Sequence, residues 1–373
     1  MLGLNIKDPL HGTIELSELE NRIIDTRDFQ RLRRIRQLAT AYLVYPGANH
    51  SRFEHSLGTL HLASRIAEKL GFEHDVTSKI RLYALLHDLG HIAFSHETEH
   101  ITEKILGDHE KIGKKKIVCG EIGDLISENF NKREIADFGS SPYAKLISSD
   151  IGADRMDYLK RDAYYTGVAY GIIDEERIIN KMYFERGELG VYEGALESSE
   201  SLLIARFMMF STVYLHHTAR IASAMLERAI QNALVDGLKA EQFLNIGDLE
   251  ALNLLSKRKN AKFYVKALLN RKLYKEAYSL NQQQLNKTKI EKIEKELCSL
   301  AKCDVIIDVA RNFFKPSGFK IRMHDGKKYE ISRISELVKA LKLAEESRKK
   351  ILVLSPAAQR KKLEKICRDY TGL

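Results

Sequence analysis

Apolar residues recur at three- and four-residue steps along most of the first three hundred positions, the period of helices that bury one face. From Ser17 the step runs through Ile23, Ile24, Phe29, Leu32, Ile35 and Leu38. It returns over His55 to Leu70 in Leu57, Leu60, Leu62, Ile66 and Leu70, and again over Val76 to His87. Tyr45-Pro46-Gly47 reads as a turn between them. Ile101 to Ile147 reads as several short helices, and Asp154 to Tyr165 as another, broken by Gly167 and Gly171. Ser198 to Leu238 predicts one or two long apolar-rich helices, and Leu249 to Leu297 a charged helical continuation.

Extended chain is rarer. Residues 1–20 read as irregular apart from a short piece, Gly12-Thr13-Ile14-Glu15-Leu16. Lys181 to Glu185 and Val191-Tyr192 flank a turn and predict a small hairpin. After Asp304 the texture changes to a β-branched run, Val305-Ile306-Ile307-Asp308-Val309. A second hairpin follows, Phe319 to Met323 and Lys328 to Ile331 about the turn His324-Asp325-Gly326. Helical patterns at Ile334 to Leu343 and near Ala357 to Tyr370 close the chain. The pattern is mainly α, with a helical body over 1–295 and a small C-terminal α+β region over 296–373.

Composition narrows the class. With 373 residues, 44% hydrophobic and 30% charged, the chain has enough apolar material for a large core and is not a disordered sequence. No apolar run approaches the ~20 residues of a membrane span. The start, Met1 to Pro9, lacks a basic segment followed by an apolar one. Cys119, Cys298, Cys303 and Cys367 are scattered, which suits a reduced, cytoplasmic protein. The net charge of +9 fits a polyanionic partner, a nucleotide or a nucleic acid.

The chemistry concentrates in Leu85-Leu86-His87-Asp88-Leu89-Gly90-His91-Ile92-Ala93-Phe94-Ser95-His96. Imidazoles and a carboxylate in one short block suit a divalent transition metal. His87 and His91 share one face if the helix continues past Leu86. A ligand set with carboxylate and no cysteine points to a catalytic site with open positions, not a closed structural zinc. A second block, Ser149-Asp150-Ile151-Gly152-Ala153-Asp154-Arg155-Met156-Asp157-Tyr158-Leu159-Lys160-Arg161-Asp162, puts Asp154, Tyr158 and Asp162 four apart on one helix face. Arg155, Lys160 and Arg161 add charge suited to phosphate, although such a run equally describes a solvated helix.

At these residues the sequence resembles the HD-domain metal phosphohydrolases, and more narrowly the deoxynucleoside triphosphate triphosphohydrolases. That group includes bacterial dGTP triphosphohydrolases and the vertebrate dNTP-depleting restriction factor. The resemblance lies in ordered blocks: Asp8-Pro9-Leu10-His11-Gly12, Ile23-Ile24-Asp25-Thr26, Phe29-Gln30-Arg31-Leu32-Arg33, Gln37-Leu38, Tyr45-Pro46-Gly47-Ala48, Arg52-Phe53-Glu54-His55-Ser56-Leu57-Gly58, His87 to His96, and Asp154-Arg155-Met156-Asp157-Tyr158. It covers residues 1–230 closely and the hairpin after 300 loosely, with the HD core at about 50–165.

The resemblance implies metal ligation by His55, His87, Asp88 and Asp154, with Mn, Fe, Zn, Co or Mg all suited to the set. An additional Mg would accompany the substrate. It implies that His96, with Glu99 and His109, handles protons and that His91 lies beside the scissile phosphate. Arg52, Arg155 and Tyr158 would hold the triphosphate. Gln37, Leu38 and Asp162 would belong to the substrate site, and Tyr214 would pack under the sugar and leave no room for a 2′-hydroxyl. A metal-activated water would attack the α-phosphorus, giving a deoxynucleoside and inorganic triphosphate. Asp25, Gln30 and Arg33 match a guanine nucleotide effector site between subunits, where Leu4 replaces the family's lysine. The run Tyr214-Leu215-His216-His217 likewise lacks the lysine that the family carries there. The same resemblance, with the apolar stretch Leu202 to Leu234, implies a homo-oligomer. Two other readings stay open on the residues alone: a different HD hydrolase acting on monophosphates or cyclic nucleotides, and a nucleic-acid or nucleotide-binding protein of weak activity.

Overall fold

Helices carry the fold, and their bounds follow local signals. The computed structural model describes residues 4–281, 287–310 and 318–370. The N-terminal residues expected to be irregular form strand β1 (Leu4–Asp8), antiparallel to β2 (Gly12–Leu16). In strand β1 burial does not follow hydropathy: its buried residue is Asp8, while Ile6 is half-buried and Leu4 is exposed. The Asp8 carboxylate accepts from the backbone N–H groups of Leu10 and His11 (2.9 and 3.0 Å), which makes the hairpin turn. Residues 1–3 of the expected N-terminal segment lie outside the described residues.

Ser17 opens the Glu18–Ile24 helix with a capping box to Glu20, and Thr26 restarts the chain as Arg27–Gln30. The Arg52–Leu70 helix packs between His74–Leu86 and Ala153–Thr166. Leu57, Leu60, Ile66, Leu85, Met156 and Leu159 are among the residues of their shared core. The expectation that His87 and His91 share a helix face is not met. The helix ends at Leu86 and the chain turns through Gly90. A Cβ on Gly90 would lie 1.9 Å from the carbonyl oxygen of His109, so glycine lets the His109–Cys119 helix seat directly on this turn.

Two further helices, Leu196–Met209 and His217–Val235, flank a five-residue π-helical segment, Phe210–Tyr214. The apolar residues of Leu202 to Leu234 that suggested a subunit interface are mostly buried inside the chain itself. The expected hairpins are present as β3 (Met182–Glu185) with β4 (Glu188–Tyr192), and β7 (Lys320–Arg322) with β8 (Lys328–Glu330). They join through a parallel β4–β7 pairing. The helical continuation expected to Leu297 is interrupted: after Asp248–Ser256 and Lys262–Leu269 comes strand β5 (Lys275–Asn281). Part of that expected stretch, residues 282–286, lies outside the described residues. Strand β5 pairs with β9 (Lys350–Ser355), which in turn pairs with β6 (Ile306–Val309). The run Ile351-Leu352-Val353-Leu354 is buried on both faces, and such a run has no two-residue period to betray it. The four cysteines are unpaired. No helix among the described residues is long and apolar enough to cross a membrane.

Gly90→Ala tests the seating of the turn. It should lower stability by about 1–3 kcal/mol, the usual cost of overpacking, read as a reduced midpoint in denaturant. An unchanged midpoint would mean that the two segments do not touch as described.

Candidate active site

Three elements aim side chains at one cavity of about 800 Å³. His55 comes from the first turn of Arg52–Leu70, His87 and Asp88 from the end of His74–Leu86, and Asp154 from the first turn of Ala153–Thr166. His55 Nε2 lies 3.1 Å from Asp154 and 3.8 Å from Asp88, and His87 Nε2 lies 3.4 Å from Asp88 and 3.9 Å from Asp154. The outer nitrogens fix the tautomers. His87 Nδ1 donates to the Ala84 carbonyl (2.7 Å), so its Nε2 is a bare lone pair, buried with no hydrogen-bond partner. His55 Nδ1 bonds Asp157 (2.8 Å), which turns its Nε2 toward Asp154 at 3.1 Å. Burial opposes charge on the His55 ring, yet Asp154 and Asp157 raise its pKa to about 10. Two carboxylates that draw a proton this strongly suit a cation in its place. The donor set therefore fits a divalent ion, and the ligand-capable atoms of His55, His87 and Asp154 lie within 4.8 Å of one another.

Asp157 stands behind this set. It accepts two bonds from Arg161 (2.9 Å each), one from His55 and one from His11 (2.7 Å). Burial works against its charge, but Arg161 and the two imidazoles hold the carboxyl well below the usual range. The other arm of Arg161 reaches Asp8 (2.8 Å), which ties the β1–β2 hairpin to the site.

The turn after Asp88 carries a second group. His91 Nε2 is 3.3 Å from Asp88, and its ring stacks on His109 with centroids 4.1 Å apart. Glu99 bonds His96 (3.1 Å) and His109 (2.8 Å). Burial and the nearby Arg52 push the His91 pKa well down, so its ring is neutral. Despite burial, the bonds to His109 and His96 lower the Glu99 pKa; burial likewise opposes charge on His109, but Glu99 raises its pKa. His96 sits at the exposed mouth, its side chain 60% accessible. Arg52 bonds Asp88 and donates to Ser95 Oγ (2.6 Å). Phe94 and Ser95 both adopt positive φ (61° and 50°), a strained conformation for such residues. Asp248 holds it in place by accepting from the Phe94 and Arg36 N–H groups (2.9 and 3.0 Å), and Arg31 donates to the carbonyls of Leu89 and His91 (2.8 and 2.7 Å).

At the other end of the cavity stand Gln37, Leu38, Tyr158, Asp162 and Tyr214. The Gln37 side-chain oxygen is buried with no hydrogen-bond partner. Tyr214, the last residue of the π-helical segment, donates to Asp162 (2.5 Å). Arg220 and Asp308 complete this wall, paired at 2.7 Å.

Several expected residues face elsewhere. Arg155 pairs with buried Asp150, Lys160 with Glu175 (2.5 Å) and Arg161 with Asp157, and none of the three lines this cavity. Arg31 is buried, its charge taken up by the carbonyls of Leu89 and His91. Asp25 and Arg33 are exposed, and Arg33 bonds Gln30 (2.9 Å) and lies over the Phe53 ring at 3.5 Å. Asp25, Gln30 and Arg33, the candidate effector residues, all lie outside the cavity lining. The sequence alone assigned no site role to His11, His50, Ser95, Asp157 or Asp248. For Asp157 a signal existed: Arg161 follows it by four on the same helix, the spacing of an ion pair.

Residues 52–162 match the HD domain and residues 173–373 match the HD-associated region. An uncharacterized protein of Methanocaldococcus jannaschii is 41% identical over 289 residues, 75% of this chain and 61% of that protein. The human deoxynucleoside triphosphate triphosphohydrolase SAMHD1 is 29% identical over 377 residues, 82% of this chain and 60% of that protein. The chain thus spans less than two thirds of either relative. The crystal structure of a hypothetical protein from Aquifex aeolicus superposes with a TM-score of 0.82 at 29% identity, covering 97% of this chain and 99% of that one.

Asp157→Asn should weaken the affinity for a divalent ion by about 10–100-fold, the usual effect of removing a carboxylate behind a histidine ligand. Chelator competition with metal analysis measures this directly. Unchanged affinity would mean that Asp157 serves the fold alone.

Proposed function

The chain belongs to the HD-domain family, with an HD-associated region following the HD domain, and we propose that it is a metal-dependent hydrolase of deoxynucleoside triphosphates. The reading rests on one observation: His55, the unpartnered nitrogen of His87 and the carboxylates of Asp88 and Asp154 open into the same cavity as the Tyr158, Asp162 and Tyr214 wall. A cavity of about 800 Å³ is in the range that takes a nucleotide-sized ligand. The name of the human relative supports the same substrate class.

In this reading His55, His87, Asp88 and Asp154 hold one divalent ion. When bound, such an ion supplies a water that ionises near neutral pH and a charge to balance phosphate oxygens. Arg52 already carries its guanidinium to Asp88 and Ser95 and offers its remaining donors to the phosphate chain. His91, neutral and enclosed, stands beside the reacting phosphorus and adds no competing positive charge. Water attacks the α-phosphorus, the bond from phosphorus to the 5′-oxygen breaks, and triphosphate and a deoxynucleoside separate. The departing oxygen needs a proton, and His96 at the mouth delivers it, oriented by Glu99. The unpartnered Gln37 oxygen accepts from a sugar hydroxyl. The Tyr214 ring lies under the sugar and closes off the 2′ position. Arg155, paired with Asp150, takes no part until that pair opens.

Metal-loaded protein incubated with each dNTP and NTP should release inorganic triphosphate from the deoxy forms, resolved by ion-exchange chromatography. Release of orthophosphate or pyrophosphate instead would overturn the proposed bond cleavage. His96→Gln should lower kcat by about 10²–10⁴-fold, the typical worth of a positioned acid, with metal content unchanged. Full turnover in that variant would remove His96 from the proton step.

A further inference from the structure

We propose that His50, which does not itself line the cavity, is a positioning residue that ties the sugar wall together and sets how strictly a ribonucleotide is excluded. The inference rests on the reading of the cavity as a deoxynucleotide site.

His50 lies in the bend just before the Arg52–Leu70 helix, with its ring fully enclosed. Its Nε2 donates to one oxygen of Asp162 (2.7 Å), and the other oxygen of Asp162 accepts from the Tyr214 hydroxyl (2.5 Å). Its backbone carbonyl accepts from the N–H of Gln37 (3.0 Å). One buried residue thereby fixes three that line the cavity: Gln37, Asp162 and Tyr214. The ring has a single hydrogen bond, because Nδ1 is buried with no partner. A stack on Tyr165, centroids 4.7 Å apart and 16° from parallel, holds its plane.

Tyr214 needs such a tie. It ends a π-helical segment, where the helical ladder is irregular, and its ring touches Phe210 edge-on (4.7 Å) without being enclosed on all sides. The hydroxyl bond to Asp162 is what sets the ring's height in the cavity. Asp162 can hold it because its second oxygen is anchored on His50. Excluding a 2′-hydroxyl is a steric test of one heavy atom, and a wall that can yield by that much fails it. Without the His50 donor, Asp162 is free to rotate and carry the Tyr214 hydroxyl with it.

The test compares kcat/KM for dGTP and GTP in metal-loaded full-length protein. His50→Leu should lower the dGTP:GTP ratio about tenfold, near the low end of what one small group in a pocket is worth. Metal content and kcat on dGTP should hold, with KM for dGTP rising. His50→Gln, whose amide nitrogen reaches the place of Nε2, should restore the ratio. Tyr214→Phe keeps the ring and deletes the other end of the tie, so the same fall in the dGTP:GTP ratio is expected of it if His50→Leu does not fold. A ratio equal to the parent's in folded, active variants overturns the role of His50. A ratio that falls in His50→Gln as far as in His50→Leu overturns the hydrogen bond as its cause. A parent protein inactive on both nucleotides overturns the deoxynucleotide reading and this inference with it.

Discussion

The carboxylate of Asp157 is the point on which both fold and site depend. It is fully enclosed, and enclosed charge is stable only when its lone pairs find donors. Arg161 supplies two, His55 one and His11 one. Removing a partner from such a buried pair typically costs about 3–5 kcal/mol, because the remaining charge stays behind. The packing is correspondingly close: a Cβ on Gly58 would lie 1.8 Å from Asp157 Oδ1, so the Arg52–Leu70 helix approaches Ala153–Thr166 only with glycine there. The β1–β2 hairpin joins the same node through Asp8 and His11. Three segments far apart in the chain are thus fastened at one group, and that group orients His55.

The loop after Asp88 follows the same logic with weaker forces. Positive φ at Phe94 and Ser95 costs about 1–3 kcal/mol per residue, and something must hold the loop there. Asp248 does so, although burial pushes its own pKa up to about 6 despite two backbone donors. Arg31 braces the other side through two carbonyls. The result is a rigid shelf that presents Ser95 to Arg52 and places His96 at the mouth. Strain at the loop and burial of Arg31 and Asp248 are both unfavourable alone, and each is stabilised by the other.

Much of the architecture was legible because helices announce themselves by period, and the His87-Asp88 block announces itself by residue type. His55, His87, Asp88 and Asp154, the ligand set that the resemblance implied, line one cavity, and so do Gln37, Leu38, Tyr158 and Tyr214, which it implied as well. What escaped was of two kinds. Strands β1 and β9 escaped because one buries an aspartate and the other has no polar face. Asp157, His11, His50 and Arg31 escaped because each derives its role from a partner 60 to 146 residues away. A lone charged residue on a helix looks the same whether it is solvated or enclosed. Arg155 misled for the complementary reason. Its spacing suits phosphate, but Asp150 is nearer, and an arginine beside a buried carboxylate pairs with it.

These two kinds of support divide the cavity. The end formed by His55, His87, Asp88 and Asp154 is held by side chains of the HD region and of the hairpin ahead of it, with Asp248 bracing the loop from outside. The opposite end is built partly from the region that follows, through Tyr214, Arg220 and Asp308. On the proposed reading, changes in that later region alter what is bound without disturbing Asp157 or the His55 ring it orients. His50 and Asp162 lie on the seam: both belong to the bend and helix that carry the chemistry, and both act on Tyr214 from the region beyond. A tie across that seam makes the shape of the recognition wall answer to the same helices that hold the metal-capable set, so the two ends cannot drift apart independently.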